Sequence, residues 1–168
     1  FINGIAVSWE GEKNNLNKGL SLCEVIATEN KLLASIKLGE PLTFYNKKET
    51  IIPKSVQNEF QVTKSKDIGY IRIPVTDGGF PTDDMIEYFI DFVKNQPKDS
   101  WLHFHCKEGI GRTTTFMIMY DIMKNHEDVS LNDIIKRQVV LSGMSDRSAK
   151  GFYKGKHFKF LNDFYNNY

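Results

Sequence analysis

Cysteine is scarce in this chain. Cys23 and Cys106 are the only two, so neither a disulfide framework nor a CxxC metal pair can be built from them. Charge of one sign is also lacking. Twenty-two Lys and Arg face 21 Asp and Glu, for a formal net charge of +1, so charge implies no broad nucleic-acid face, while a local basic patch is compatible with it. No apolar run reaches the length that spans a membrane. No repeat and no low-complexity stretch occurs. The chain opens on Phe1 with no secretory signal pattern, as expected of a mature form or a fragment, and its compartment is not legible. What remains is 168 residues of ordinary soluble composition, 40% hydrophobic and 26% charged, long enough to bury one core.

The order of elements is α/β. FINGIAVSW (1–9) is apolar with an Asn3-Gly4 turn, and 10–19 is polar and loop-like. Apolar residues at 22, 25, 26, 32, 33 and 36 predict an amphipathic helix over 20–36. Cys23 lies in it and is expected to pack as a small buried hydrophobe. PLTFYN and TIIP give short β-prone pieces within 42–63, a small strand-and-loop region. IGYIRIPV (68–75) reads as a strand, TDGGFPTDD (76–84) as a loop, and DDMIEYFIDFVKN (83–95) as a helix capped by Thr82 with acids in its first turn. WLHFH (101–105) reads as a second strand, RTTTFMIMYDIMKN (112–125) as an apolar helix, and LNDIIKRQVVLS (131–142) as a helix capped by Ser130. Aromatic residues at 158, 160, 164 and 165 predict a terminal helix. The expectation is one domain over 1–168: a central, largely parallel sheet flanked by helices, with 10–60 a less regular insertion.

The chemistry concentrates in HCKEGIGRTT (105–114). Strand, glycine-rich turn and helix in that order gather backbone N–H groups around one point at a helix amino terminus, which makes an anion site. The N–H groups of Lys107, Glu108, Gly109, Ile110 and Gly111 are the candidate phosphate cradle. Gly109 and Gly111 suit unusual dihedrals. The same field favours thiolate over thiol, so Cys106 is the candidate nucleophile. Arg112 offers a planar fork for two phosphate oxygens. A nucleophile at the floor of a phosphate cradle implies a cysteinyl-phosphate intermediate. At ordinary residue frequencies, glycine, glycine, arginine and threonine fall at these offsets from a given cysteine with a chance of about 10⁻⁵–10⁻⁴. The alternative is a buried structural cysteine beside a tight turn.

A thiolate expels an alkoxide poorly, so a carboxylic acid must reach the leaving oxygen from another loop. TDGGFPT supplies Asp77. Asp83 and Asp84 compete but suit the first turn of a helix. Thr113 brings a hydroxyl that can stabilise the departing thiolate, or simply starts the helix. His103 reads as a core histidine. Lys107 is either a rim charge for a polyanion or a solvated lysine, and Gln138 either supports the site or is an ordinary polar helix position. Arg147, Lys150, Lys154, Lys156 and Lys159 form a basic run: Lys150, Lys154 and Lys156 are a candidate substrate rim, with a solvated face as the alternative. No metal-ligand cluster occurs in the sequence, and no metal or other cofactor is expected.

HC-x5-R-T identifies the chain as similar to the cysteine-dependent protein tyrosine phosphatase superfamily. The longer stretch WLHFHCKEGIGRTTTFMIMYDIMKN, with FINGIAVSW, TDGGFPT and VSLNDIIKRQ, resembles the bacterial tyrosine-phosphatase-like inositol polyphosphatases, the cysteine phytases, over nearly the whole chain. The resemblance implies a tyrosine-phosphatase-like fold, with Asp77 as general acid and then base, and His105 ordering the loop by hydrogen bonding. The expected substrate is a phosphorylated myo-inositol such as phytate. The alternatives are a phosphotyrosine or dual-specificity protein phosphatase, and a phosphate-binding module without activity; neither nucleic acid nor a membrane span is implied. Glu108 departs from the small residue that several phytase relatives carry, and the basic run departs from them in length and spacing. Such relatives carry a further segment before FINGIAVSW, so the chain is expected to lack an amino-terminal piece. The resemblance is compatible with an exported setting.

Overall fold

Among the described residues, four helices begin where a short polar side chain accepts an unpaired backbone N–H. Ser21 does so for α1 (Leu22–Ser35), as one half of a capping box. Its hydroxyl accepts from Glu24 N at 3.4 Å while Ser21 N donates to Glu24 Oε2 at 2.8 Å. The computed structural model describes residues 19–43 and 50–168. It divides into two units, Phe1–Asp77 and Gly78–Tyr168. The expected turn and apolar stretch over 1–9 lie outside the described residues.

In the first unit, β1 (Leu42–Thr43) and β2 (Thr50–Ile51) pair antiparallel, Leu42 opposite Ile51 and Thr43 opposite Thr50. The region expected as strand and loop also holds a helix, α2 (Glu59–Lys64). Asn58 Oδ1 accepts from Gln61 N at 2.8 Å, and Asn58 N donates to Gln61 Oε1 at 2.9 Å. The unit is cross-braced by a buried ion pair. Arg72 Nη1 and Nη2 donate to the two oxygens of Glu29 on α1 at 3.0 and 2.7 Å, with 9% and 10% of the two side chains exposed. The planar fork satisfies both carboxylate oxygens, the geometry a buried pair requires.

Cys23 is exposed, contrary to the expectation that it packs. Val25 is the buried residue of α1, and two helical positions separate faces by about 200°.

The second unit holds α3 (Asp83–Lys94), α4 (Gly111–Asn125), α5 (Leu131–Ser142), α6 (Asp146–Lys154) and α7 (Lys156–Asn167). Ile118, Met119 and Ile122 of α4, Ile134 and Ile135 of α5, and Leu161 of α7 are wholly buried. Helix α4 is therefore the centre of the core, with α5 and α7 packed on it. A buried carboxylate locks α4 to α5. Asp121 accepts from Arg137 through Nε at 2.5 Å and through Nη2, from Gln138 Nε2 at 2.8 Å, and from Asn125 Nδ2 at 2.8 Å. Tyr165 of α7 donates its hydroxyl to the carbonyls of His126 and Val129, at 3.0 and 3.2 Å, in the turn between α4 and α5. Between α6 and α7, a Cβ at Gly155 would lie 3.0 Å from the Gly151 carbonyl oxygen and 3.1 Å from its Cα. A side chain there would force the break between the two helices to open by a few tenths of an ångström.

Residues 68–75 and 101–105, expected as strands, lie outside any assigned strand; among the described residues, strand pairing is confined to β1 and β2. A strand needs a neighbouring ladder as well as extended backbone, and propensity supplies only the second. Residues 101–105 nevertheless alternate. Phe104 packs against Phe89 of α3 and Tyr120 of α4, with ring centroids 6.0 and 5.7 Å away. Trp101 and His103 face outward, so His103 is exposed and not a core histidine.

Asp121 provides a test of this packing. Burial alone would raise its carboxyl pKa, but the donors from Arg137, Gln138 and Asn125 outweigh burial and hold it below the usual range. A carboxyl depressed in the folded state stabilises above its unfolded value, and that stabilisation is lost as pH falls through the folded value. Arg137 keeps 41% of its side chain exposed, so solvent screens the pair. Asp121→Asn is expected to cost about 2 kcal/mol at neutral pH. In urea titrations, the gap to the wild type should close as pH falls below about 4. A gap independent of pH would contradict the assignment.

Candidate active site

The loop 106–110 connects the extended segment 101–105 to α4. Its conformation requires a residue without Cβ at Gly109, which adopts φ +71°. Gly111, expected to need similar freedom, instead begins the helix in ordinary helical geometry. Ile110 occupies the N-cap position with no side-chain cap. An apolar N-cap leaves the first-turn N–H groups to whatever anion lies in front of them.

The Cys106 sulfur lies in front of them, within reach of the Thr113 N–H. The half-buried thiol would be raised by desolvation. The hydroxyl and N–H of Thr113, with the N–H groups of Gly109 and Glu108, outweigh it and hold the thiol below its ordinary range. Thr113 Oγ1 is buried with no oxygen or nitrogen partner, so its hydrogen is available to the sulfur. The structure therefore brings Cys106, Glu108, Gly109 and Thr113 together around one atom. Arg112 is half-buried in the first turn of α4. His105 immediately precedes the cysteine, its ring 5.5 Å from that of His103, which stacks in turn on Trp101 at 5.8 Å.

The remaining candidates stand as follows. Lys107 Nζ is 3.6 Å from Glu108 Oε1, so the rim lysine carries its own counter-charge. Asp77 is exposed at the turn that closes the first unit. Asp83 and Asp84 lie in the first turn of α3, and Asp84 accepts from the Thr82 hydroxyl. Lys150 and Lys154 of α6 and Lys156 at the start of α7 are exposed, as are Arg147 and Lys159. Gln138 is committed to Asp121. Among the described residues, no group of three or more His, Cys, Asp or Glu could hold a metal ion, and no helix is long and apolar enough to cross a membrane.

One feature escaped the sequence reading. Phe80, in the loop after Asp77, stacks on Phe160 of α7 at 5.0 Å and 22°, and meets the ring of His157 edge-on at 4.9 Å. His157 also lies 4.5 Å from Phe152 of α6, and burial holds its pKa below the usual histidine range. The sequence displays these aromatics only as helix-packing residues.

A cysteine met by loop N–H groups at the amino end of a helix is the arrangement that the HC-x5-R-T resemblance leads one to expect of one class, the tyrosine-phosphatase-like proteins. Comparison narrows it: residues 1–124 match the model of the PTP-like phytase family, described by inositol hexakisphosphate, and the chain belongs to that family. It is similar to the PTP-like myo-inositol phosphatase of Mitsuokella multacida, solved in complex with myo-inositol-(1,3,4,5)-tetrakisphosphate. The TM-score is 0.75 at 32% identity, over 90% of this chain and 28% of that one. It is equally similar in structure to a PTP-like phytase from Bdellovibrio bacteriovorus, with TM-score 0.75, 31% identity, and 89% and 58% coverage. These neighbours fit an α/β, tyrosine-phosphatase-like fold. In sequence it is 30% identical over 155 residues to the effector protein hopD2 of Pseudomonas syringae pv. tomato, spanning 84% of this chain and 33% of that protein. The chain thus spans about a third of the length of that curated relative.

The thiol environment predicts reactivity. In a Cys23→Ser background, needed because Cys23 is exposed, iodoacetamide should alkylate Cys106 with a pH midpoint below that of a free thiol. Thr113→Val should move the midpoint upward by removing the hydroxyl donor. A midpoint in the ordinary thiol range for the parent, or no movement in the variant, would contradict the environment described.

Proposed function

We propose that this chain hydrolyses phosphomonoesters through a cysteinyl-phosphate intermediate and that its substrates are myo-inositol polyphosphates such as phytate. The observation that carries the reading is the convergence of the Glu108, Gly109 and Thr113 N–H groups and the Thr113 hydroxyl on the Cys106 sulfur. A site that stabilises a thiolate with aimed N–H groups is equally suited to the equatorial oxygens of a phosphoryl group.

In the proposed reaction, the Cys106 thiolate attacks phosphorus while Arg112 and the amides of Lys107 to Gly111 hold the non-bridging oxygens. The ester P–O bond breaks, and the leaving alkoxide takes the proton of Asp77. Water then attacks phosphorus, Asp77 carboxylate takes a proton from it, and the S–P bond breaks to give inorganic phosphate and the thiolate, which the Thr113 hydroxyl stabilises. His105 orders the loop. Residues 68–75 and 101–105 are proposed as strands of the family's largely parallel sheet. Lys150, Lys154 and Lys156 are the proposed rim for further phosphates. Family membership and the inositol-phosphate complex of the Mitsuokella neighbour support the substrate class.

The Lys107–Glu108 pair favours a second reading. An acid beside the rim lysine lowers its value to a polyanion, so a phosphotyrosine protein is the alternative substrate. Phosphate release from phytate and from a phosphotyrosine peptide, with Cys106→Ser as the blank, separates the two. Faster release from phytate is expected; faster release from the peptide would keep the chemistry and discard the substrate. The pair itself is testable through salt. Glu108→Gln should raise kcat/KM for phytate about two- to fivefold at low ionic strength, proportionately more than for an aryl monophosphate, with the gain fading in high salt. No gain, or one that survives salt, would contradict an electrostatic role for Glu108.

A further inference from the structure

We propose that Phe80 is a positioning residue for the general acid: its ring, seated in a cup formed by His157 and Phe160, with Phe152 packed behind His157, pins the loop that carries Asp77. The inference rests on the assignment of Asp77 as the acid.

TDGGFPT is anchored at its carboxyl side. Its carboxyl side is fixed three times over. Phe80 stacks face-on with Phe160 at 5.0 Å and edge-on with His157 at 4.9 Å, both favoured aromatic geometries. Pro81 is buried, and it restricts the backbone of Phe80 before it. Thr82 is bonded to Asp84 at the start of α3. Between this fixed point and Asp77 stand only Gly78 and Gly79. Two glycines are the most permissive link a chain can have. Holding Phe80 narrows the positions this link offers the carboxylate, and proton transfer requires hydrogen-bond reach of the leaving oxygen.

The cup is itself positioned. Phe152 lies on α6, while His157 and Phe160 lie on α7, and the two helices meet at Gly155, where a Cβ would sit tightly against the Gly151 backbone. Helix α7 also packs on α4, the helix that the cysteine loop opens. The aromatic cup is thus built on the same helical scaffold as the cradle.

A residue that acts through the acid should matter only where the acid matters. Asp77→Asn should slow hydrolysis of an alkyl phosphate, a poor leaving group, far more than that of p-nitrophenyl phosphate. Phe80→Leu, which keeps an apolar side chain in the cup, should slow the alkyl phosphate about tenfold and p-nitrophenyl phosphate less than about twofold. Phe80→Trp, which restores an aromatic face, should recover most of the loss. In the Asp77→Asn background, Phe80→Leu should add nothing further. Phe160→Leu opens the cup from its other wall and should give the same split, in protein whose far-UV circular dichroism matches the wild type. If Asp77→Asn slows both substrates equally, the acid assignment fails and the anchor with it. If Asp77→Asn shows the split but Phe80→Leu and Phe160→Leu slow both substrates equally, or multiply independently with Asp77→Asn, the anchor alone is overturned.

Discussion

A cysteine sulfur met by N–H groups at the amino end of a helix is the interaction on which the second unit is built. The Cys106 thiol is partly removed from water, which by itself would raise its pKa. Amide N–H groups from the loop and the first turn of α4, with the Thr113 hydroxyl, outweigh that and hold it below the ordinary thiol value. They do so because the loop turns through Gly109 and because Ile110 brings no polar atom to compete for them. The arrangement that stabilises sulfur before reaction has the polarity and spacing to stabilise phosphoryl oxygens during it.

An aimed set of dipoles is effective only if it does not reorganise, and α4 is held accordingly. Its inward face supplies Ile118, Met119 and Ile122 to the core. Its one buried carboxylate, Asp121, gathers donors from Arg137, Gln138 and Asn125. Tyr165 closes the turn beyond its carboxyl end. None of these residues belongs to the cradle, yet each fixes the axis along which its N–H groups point. The Phe80 cup extends the same logic to the loop that would bring the acid.

Much of this was legible in the sequence because it is local. Residues 131–142 and their Ser130 cap form the helix the pattern predicts, and α3 and α7 follow their apolar period. The cysteine loop was legible because its chemistry demands particular residues at fixed offsets. What was not legible depends on partners distant in the chain. Strand pairing of 68–75 and 101–105 is a property of neighbours, not of the segments. The Asp121 cluster and the Arg72–Glu29 pair join residues whose contact no period announces. Helices α2 and α6 are short, and their caps, Asn58 and Ser145, were the only local signals available. Cys23 and His103 were misjudged by residue type, since side-chain direction and not identity set their exposure.

The central claim, that the Cys106 sulfur accepts the phosphoryl group, is tested most directly by trapping it. Asp77→Asn protein mixed with phosphorus-labelled p-nitrophenyl phosphate and quenched in acid within the first turnover should carry label, and peptide mapping should locate it on Cys106. The Cys106→Ser protein treated identically should carry no turnover-competent label. Label on another residue, or steady phosphate release from Cys106→Ser at the wild-type rate, would contradict the account.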